Sequence, residues 1–271
     1  MNRRLSPAGL LGLLILAFWV AMAVFGAAVA PHPAGKIVDM EVFLPVSADY
    51  PLGTDYLGRD MLSRVLHGTR YTVGVALVAA LIASGSGLML GMCAAVWGGL
   101  VDGAISRALD TLISIPSKMF ALVVVAAFGS SVPVLILMAG IFYTPGAYRI
   151  ARSLAVTVNA LDFVTVARAR GEGTLYLVRA EILPNIIGPV LADFGLRFVY
   201  IVLLLAGMSF LGLGVQPPNA DWGSLVRENM AGLHEAAPAV LMPAFAIASL
   251  TIGVNLAIDV LGGGRREGDG H

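Results

Sequence analysis

ARSLAVTVNALDFVTVARARGEGTLYLVRAEILPN, residues 151–185, is too polar to cross a bilayer, yet it joins two runs apolar enough to do so. The spacing predicts two short helices, Asn159–Arg170 and Thr174–Leu183, hinged at Gly171-Glu172-Gly173. Glycine admits the positive φ that such a tight turn needs. Pro184 then ends the second helix and sends the chain back toward the membrane. On the first helix Phe163, Val166, Ala167 and Arg170 share one face, with Arg168 on the other. An amphipathic elbow of this kind fits a groove on another protein or lies flat among headgroups. The residues by themselves favour neither.

Working outward, the rest of the chain is mostly lipid-soluble. Of 271 residues, 58% are hydrophobic and 13% charged, and mean hydropathy is +0.86. A soluble domain carries about 25% charge, so this chain has too little polar material to cover a water-exposed surface. Six runs approach the roughly 20 residues a span requires: Leu10–Ala30, Tyr71–Leu100, Met119–Ser130 with its flanks, Val132–Ile150, Gly188–Leu211 and Ala237–Leu261. The first follows Arg3 and Arg4 as a signal peptide would, but it is too long for the usual apolar region of one, and it reads as a retained anchor. The expected fold class is therefore an all-α membrane protein with six transmembrane helices. Its first part, residues 1–70, is one span plus an outer loop. The second, 71–271, is a five-helix core carrying the polar elbow at 151–185. Six spans put both termini on one side. With that side taken as inner, twelve of the seventeen Lys and Arg residues fall on inner segments, including Arg3, Arg4, Arg265 and Arg266. Positive-inside bias then predicts N-in and C-in.

Two outer loops remain. In the loop from Pro31 to Arg70, Asp55 and Arg59, and again Asp60 and Arg64, stand at helical i,i+4 spacing. Such pairs on an exposed helix add a few tenths of a kcal/mol at most, so they read as orienting elements. In the loop from Gly212 to Glu235, Trp222 reads as a half-wet interface anchor. Ionisable groups inside spans are functional candidates by default. Asp193 and Arg197 are i,i+4 in the fifth span, with Arg197 roughly 13 Å in from its end, shallow enough to snorkel. Asn255 and Asp259 repeat the spacing in the sixth. Packing contacts and a place on a solute pathway both remain open for these pairs. Ala83, Gly87 and Gly91 form a small-xxx-small stripe suited to close contact with a second membrane subunit.

Several chemistries are disfavoured. Neither Lys36 nor Lys118 sits in a phosphate-binding glycine loop, so no ATP site, catalytic residue or resident cofactor is expected on this chain. His32, His67, His234 and His271 are too scattered to hold a metal. Cys93, alone in an apolar run, reads as a small buried hydrophobe. Net charge is zero, giving no field for nucleic acid. An ion-coupled transporter wants midplane carboxylates and broken-helix repeats, and an intramembrane hydrolase built on Ser209 or Ser224 lacks a spaced histidine.

The loop PLGTDYLGRDMLSR at 51–64, the segment SFLGLGVQPP at 209–218 with Asp221-Trp-Gly-Ser, and the elbow together resemble one family over nearly the whole chain. It is the permease subunits of binding-protein-dependent ABC importers for dipeptides, oligopeptides and nickel. The elbow is similar to that family's EAA loop. Anchored on Leu183-Pro184, the glycine position falls on Gly171 and the Glu-Ala-Ala positions on Thr165, Val166 and Ala167. Thr165 replaces the motif's glutamate, so any salt bridge of that glutamate does not carry over. The resemblance implies a type I importer fold in the bacterial inner membrane. It implies a homologous second permease, two cytoplasmic ABC ATPases holding ATP and Mg, and a periplasmic or lipid-anchored binding protein. The elbow residues Thr165, Ala167, Arg168, Gly171, Glu172, Leu183 and Pro184 would then couple to the ATPase. Asp55, Arg59, Asp60 and Trp222 would serve binding-protein docking. Short peptides lead as cargo, ahead of nickel chelates, opines and glutathione.

Overall fold

The structure, a computed structural model, describes residues 7–234 and 237–262. Arg3, Arg4, Glu235, Arg265, Arg266 and His271, which entered the reading above, lie outside them. Among the described residues regular structure is helical, apart from isolated bridges pairing Ile37 with Arg59 and Thr54 with Asp60. Five helical runs are long and apolar enough to span a membrane: α1 (Pro7–Val29), α2 (Met61–Trp97), α5 (Val132–Asn159), the continuous run Thr174–Phe210, and α10 (Ala237–Gly262) through its stretch Pro238–Asp259.

The sixth candidate is broken. α3 (Gly99–Ile113) and α4 (Ser117–Phe128) meet at 84°. Pro116 stands at the break, where its ring and missing N–H stop α3 from continuing. The 12 residues of α4 reach only about 18 Å, so where a straight third span was expected the structure has this bent pair.

α2 begins at Met61, well ahead of the expected Tyr71, because Asp60 caps it. The Asp60 carboxylate accepts from the Ser63 amide at 3.0 Å and the Ser63 hydroxyl at 2.5 Å. The division drawn at residue 70 therefore falls inside a helix. α1 is no separate anchor either: Trp19 belongs to the main buried cluster. It stacks edge-on against Trp222 at 4.6 Å and donates to the Ser249 hydroxyl at 3.0 Å.

Small residues set the packing. Ala76, Ala79, Ala80 and Ala83 of α2 are fully buried in the same cluster as Leu135, Met138 and Ala139 of α5. A side-chain carbon on Gly87 would lie 2.4 Å from the Ala147 methyl, and one on Gly91 2.7 Å from the Arg152 amide. The stripe at 83, 87 and 91 is thus spent on α5 of the same chain, and is not a free face for a second subunit. On the far side of the bundle Gly12 of α1 and Gly253 of α10 let those two helices cross equally closely. This is how helices associate in lipid, where the hydrophobic effect is absent between spans and contact must come from shape.

Candidate functional site

Successive spans are antiparallel, so the bundle has two working ends: an elbow end at 160–182 and a cap end formed by 30–60 and 211–234. The elbow begins with α6 (Asp162–Ala169) and closes with two bonds. The Gly171 amide donates to Arg168 O at 3.0 Å, and the Glu172 amide to Ala167 O at 3.2 Å. With Gly171 at φ +85°, this is the glycine-terminated Schellman turn expected at that position. α7 (Thr174–Tyr176) follows and does not end at Pro184. It runs through a π-helical segment, Leu177–Ile182, straight into α8 (Leu183–Phe210). Pro184 sits in the first turn after that segment, and the looser π turn absorbs the hydrogen bond that proline cannot make. The second elbow helix is therefore the start of the next span.

Val164, Ala167 and Leu177 are buried, packed against Val96 of α2 and Val158 of α5. Ala167 thus faces inward and leaves the face it was expected to share with Phe163, Val166 and Arg170. Those three stay exposed, as do Leu161, Leu175 and Tyr176. Thr165 is exposed, and Leu183 packs against the buried Met92–Ile186 cluster. The Arg168 guanidinium donates to Asn159 Oδ1 at 3.0 Å, and Asn159 donates to Ala95 O at 3.0 Å, so the base of the elbow is tied to α2. Arg170 and Glu172 make an exposed 3.6 Å ion pair. The result is a fixed knuckle with an apolar outer surface.

The cap end is the opposite in character. Asp55 is fully buried and accepts from the amides of Leu57 and Arg59 at 2.9 Å, from Arg59 Nε at 2.7 Å and from Arg64 Nη1 at 2.7 Å. Arg64 also donates to Glu228 at 2.8 Å, joining the loop to α9 (Trp222–Asn229). The Asp55–Arg59 pair forms as expected, but in a turn and not on a helix. The expected Asp60–Arg64 pair does not form: helix capping holds Asp60, and Arg64 turns to Asp55. Trp222 is no half-wet anchor. It is fully buried, its indole donating to Val65 O at 3.1 Å and its amide to Thr72 Oγ1 at 3.0 Å. Asp55, Asp60 and Trp222 are framework, and of that set only Arg59 keeps partial exposure.

Sequence reasoning missed the roles here of Glu228, of Asp221 and of the buried Asn229, which accepts from the Tyr56 amide at 3.1 Å. The D-x-x-S spacing of Asp221 and Ser224 was the available signal: the two close a capping box on α9. Ser209 Oγ also donates to Asp221, and burial pushes the Asp221 carboxyl above its ordinary 3.8. Both serines weighed as nucleophiles are thus held by one carboxylate residue in a structural turn.

Inside the bundle, Arg197 donates through Nε and Nη2 to both oxygens of Asp193, at 2.6 and 2.8 Å, and through Nη1 to Tyr143 O at 3.3 Å. It does not snorkel: it turns sideways against Gly146 of α5 and is buried. Asn255 donates to Thr251 O at 2.9 Å, not to Asp259, which stays exposed near the end of α10. No group of three or more metal-ligating side chains gathers among the described residues.

Residues 87–266 match the family model described as binding-protein-dependent transport system inner membrane component. The chain is 32% identical to a di/tripeptide transport system permease of Pseudomonas aeruginosa, over 92% of this chain and 84% of that protein. It is 34% identical to a putative peptide transport system permease of Brucella suis, over 98% and 88%. A glutathione transport system permease of Pectobacterium atrosepticum is 32% identical over 94% and 84%.

Proposed function

The chain belongs to the inner-membrane permease family of binding-protein-dependent ABC transport systems, and from that premise we propose that it forms half of an ATP-driven pathway importing short peptides. The observation that carries the reading is the knuckle: Phe163, Val166, Leu175 and Tyr176 present apolar surface on a turn locked by Gly171. Exposed apolar groups rimmed by Arg168, Arg170 and Glu172 suit a groove on a partner protein. That partner is the ATPase subunit, which supplies the ATP and Mg that this chain is not built to hold. The elbow then lies in the cytoplasm, both termini with it, in agreement with the excess of Lys and Arg on inner segments. A second permease completes the pathway, and a binding protein delivers cargo at the cap end.

The elbow is fixed to α2 through Asn159 and continuous with α8, so displacement of the knuckle is transmitted to two spans as a rigid movement. Nucleotide must favour one arrangement by about 5.5 kcal/mol to invert the population fully. The peptide transport permeases among the relatives support peptides as cargo. The test is reconstitution with the neighbouring ATPase, permease and binding-protein subunits. ATP-dependent uptake of a dipeptide is expected, with glutathione as a comparison cargo. Uptake by this chain without ATPase subunits would overturn the reading.

A further inference from the structure

We infer that Asp193, Arg197 and Tyr200 line the solute pathway and offer passing zwitterionic peptides a weak polar foothold at mid-membrane depth. The inference rests on the permease reading above.

Depth comes from two helices independently. Arg197 lies midway along α8, between Leu183 and Phe210, and it rests on Gly146, midway along α5, between Val132 and Asn159. Of the other ion pairs described, Arg59 and Arg64 with Asp55 and Glu228 lie at the cap and Arg170 with Glu172 at the elbow, while Arg152 with Asp102 and the exposed Arg149 with Asp110 join α5 to α3 on the elbow side of Gly146.

Exposure says which kind of surface this is. Tyr200, one turn beyond the pair on the same helix face, is 54% exposed. The Asp193 side chain keeps 18% of its surface open. Tyr143 closes the seam from α5, its hydroxyl donating to Tyr200 O at 3.3 Å. A partly open carboxylate and an open tyrosine are costly against hydrocarbon at the middle of a span. They are tolerated where they face water or a protein-lined cavity. α1 and α10 pack on other sides of α8, and α4 touches the α5–α8 seam from one edge, yet among the described residues none covers Tyr200 enough to bury it.

The chemistry fits a zwitterion better than a bare ion. One cation and one anion already neutralise each other, so neither a metal ion nor a polyanion finds an unopposed charge. The Asp193 carboxylate has lone pairs beyond its two bonds with Arg197, and the Tyr200 hydroxyl makes no hydrogen bond among the described residues. A peptide's ammonium, carboxylate and amides can use these groups briefly. A foothold whose charges are already paired binds loosely enough to release, which conduction requires.

The test uses the assembled importer with Cys93→Ser in this chain. Tyr200→Cys should react with a water-soluble, membrane-impermeant thiosulfonate, at a rate that differs between nucleotide-free and vanadate-trapped complexes. No reaction in either state overturns the inference, whatever the cargo is. Asp193→Leu with Arg197→Met removes both charges and keeps the bulk. The doubly substituted complex, verified by co-purification, should take up radiolabelled dialanine about tenfold more slowly, the effect of losing one hydrogen bond to a charged group. Tyr200→Phe, whose ring stays in place, should slow it by about threefold. Wild-type rates in an assembled doubly substituted complex would make the pair a packing contact and overturn the inference while leaving the importer reading intact. Failure of the wild-type complex to couple ATP to dialanine uptake would instead strike the importer reading, and the labelling result would still decide whether the seam faces water.

Discussion

The two ends of the bundle use charge in contrary ways. At the cap end, Asp55, Arg59, Arg64 and Glu228 are withdrawn from water and bonded to one another and to backbone amides. At the elbow end, Arg168, Arg170 and Glu172 stay at the surface, and what is left open is apolar. A buried network tolerates no loss of a partner, because each removal strands a charge. An exposed knuckle tolerates most substitutions in the isolated chain and exposes its purpose only when a partner is added. The cap is therefore a frame, and the elbow is the surface we propose for partner contact.

Breaking the frame should have the largest effect. Asp55→Ala leaves Arg64, with 3% of its side chain exposed, without its nearest anion. The expected destabilisation is about 3–5 kcal/mol, read by denaturant unfolding in detergent. A loss below about 1 kcal/mol would place the pair in the class of solvated surface bridges and erase the contrast.

Gly171→Pro sharpens the other side. It removes the amide bond to Arg168 O and forbids φ +85°, a local cost of about 3 kcal/mol. ATP hydrolysis in the assembled complex should continue while dipeptide uptake falls to background. Gly171→Ala is milder: its methyl meets nothing within 4 Å, so only the left-handed backbone is penalised, by about 1–2 kcal/mol. Partial uptake is expected, and full uptake would show that the turn relaxes freely.

Asp221→Asn separates burial from charge within the cap. Burial raises the Asp221 carboxyl above 3.8, so the folded chain holds that proton more tightly than the unfolded one. The stabilisation from that proton is complete below 3.8 and is lost as pH rises through the folded value. Asparagine does not titrate and still caps α9. Its melting temperature relative to aspartate should therefore climb from acid to neutral pH, and a flat difference would contradict the burial argument. Arg168→Ala should change stability least, within about 0.5 kcal/mol, since its bond to Asn159 is exposed.

Much of this was legible in the chain. The presence of five of the six apolar helices, the Gly171 turn and the Asp193–Arg197 pair follow from local periodicity and glycine chemistry, which neighbouring residues settle among themselves. Most of the misses share one cause: a partner distant in sequence competed with a near one. Arg64 stands four residues from Asp60 but bonds to Asp55 and Glu228, because Asp60 is already spent on capping α2. Trp222 has the composition of an interface anchor and becomes core because Trp19 and Val65 O await it. The stripe at Ala83, Gly87 and Gly91 was right as a contact surface, but α5 of the same chain fills it. Pro184 stops a helix by rule, and here a π turn one step earlier lets the helix pass.

The claim on which the functional account rests is that the knuckle is gripped from the cytoplasm by an ATPase. Val166→Cys in a Cys93→Ser background places a thiol at its exposed apolar crest. With an impermeant maleimide, labelling is predicted in inside-out vesicles, and it should disappear when the ATPase subunit is added back. Labelling from the outside of intact cells, or labelling indifferent to the ATPase, would contradict the account.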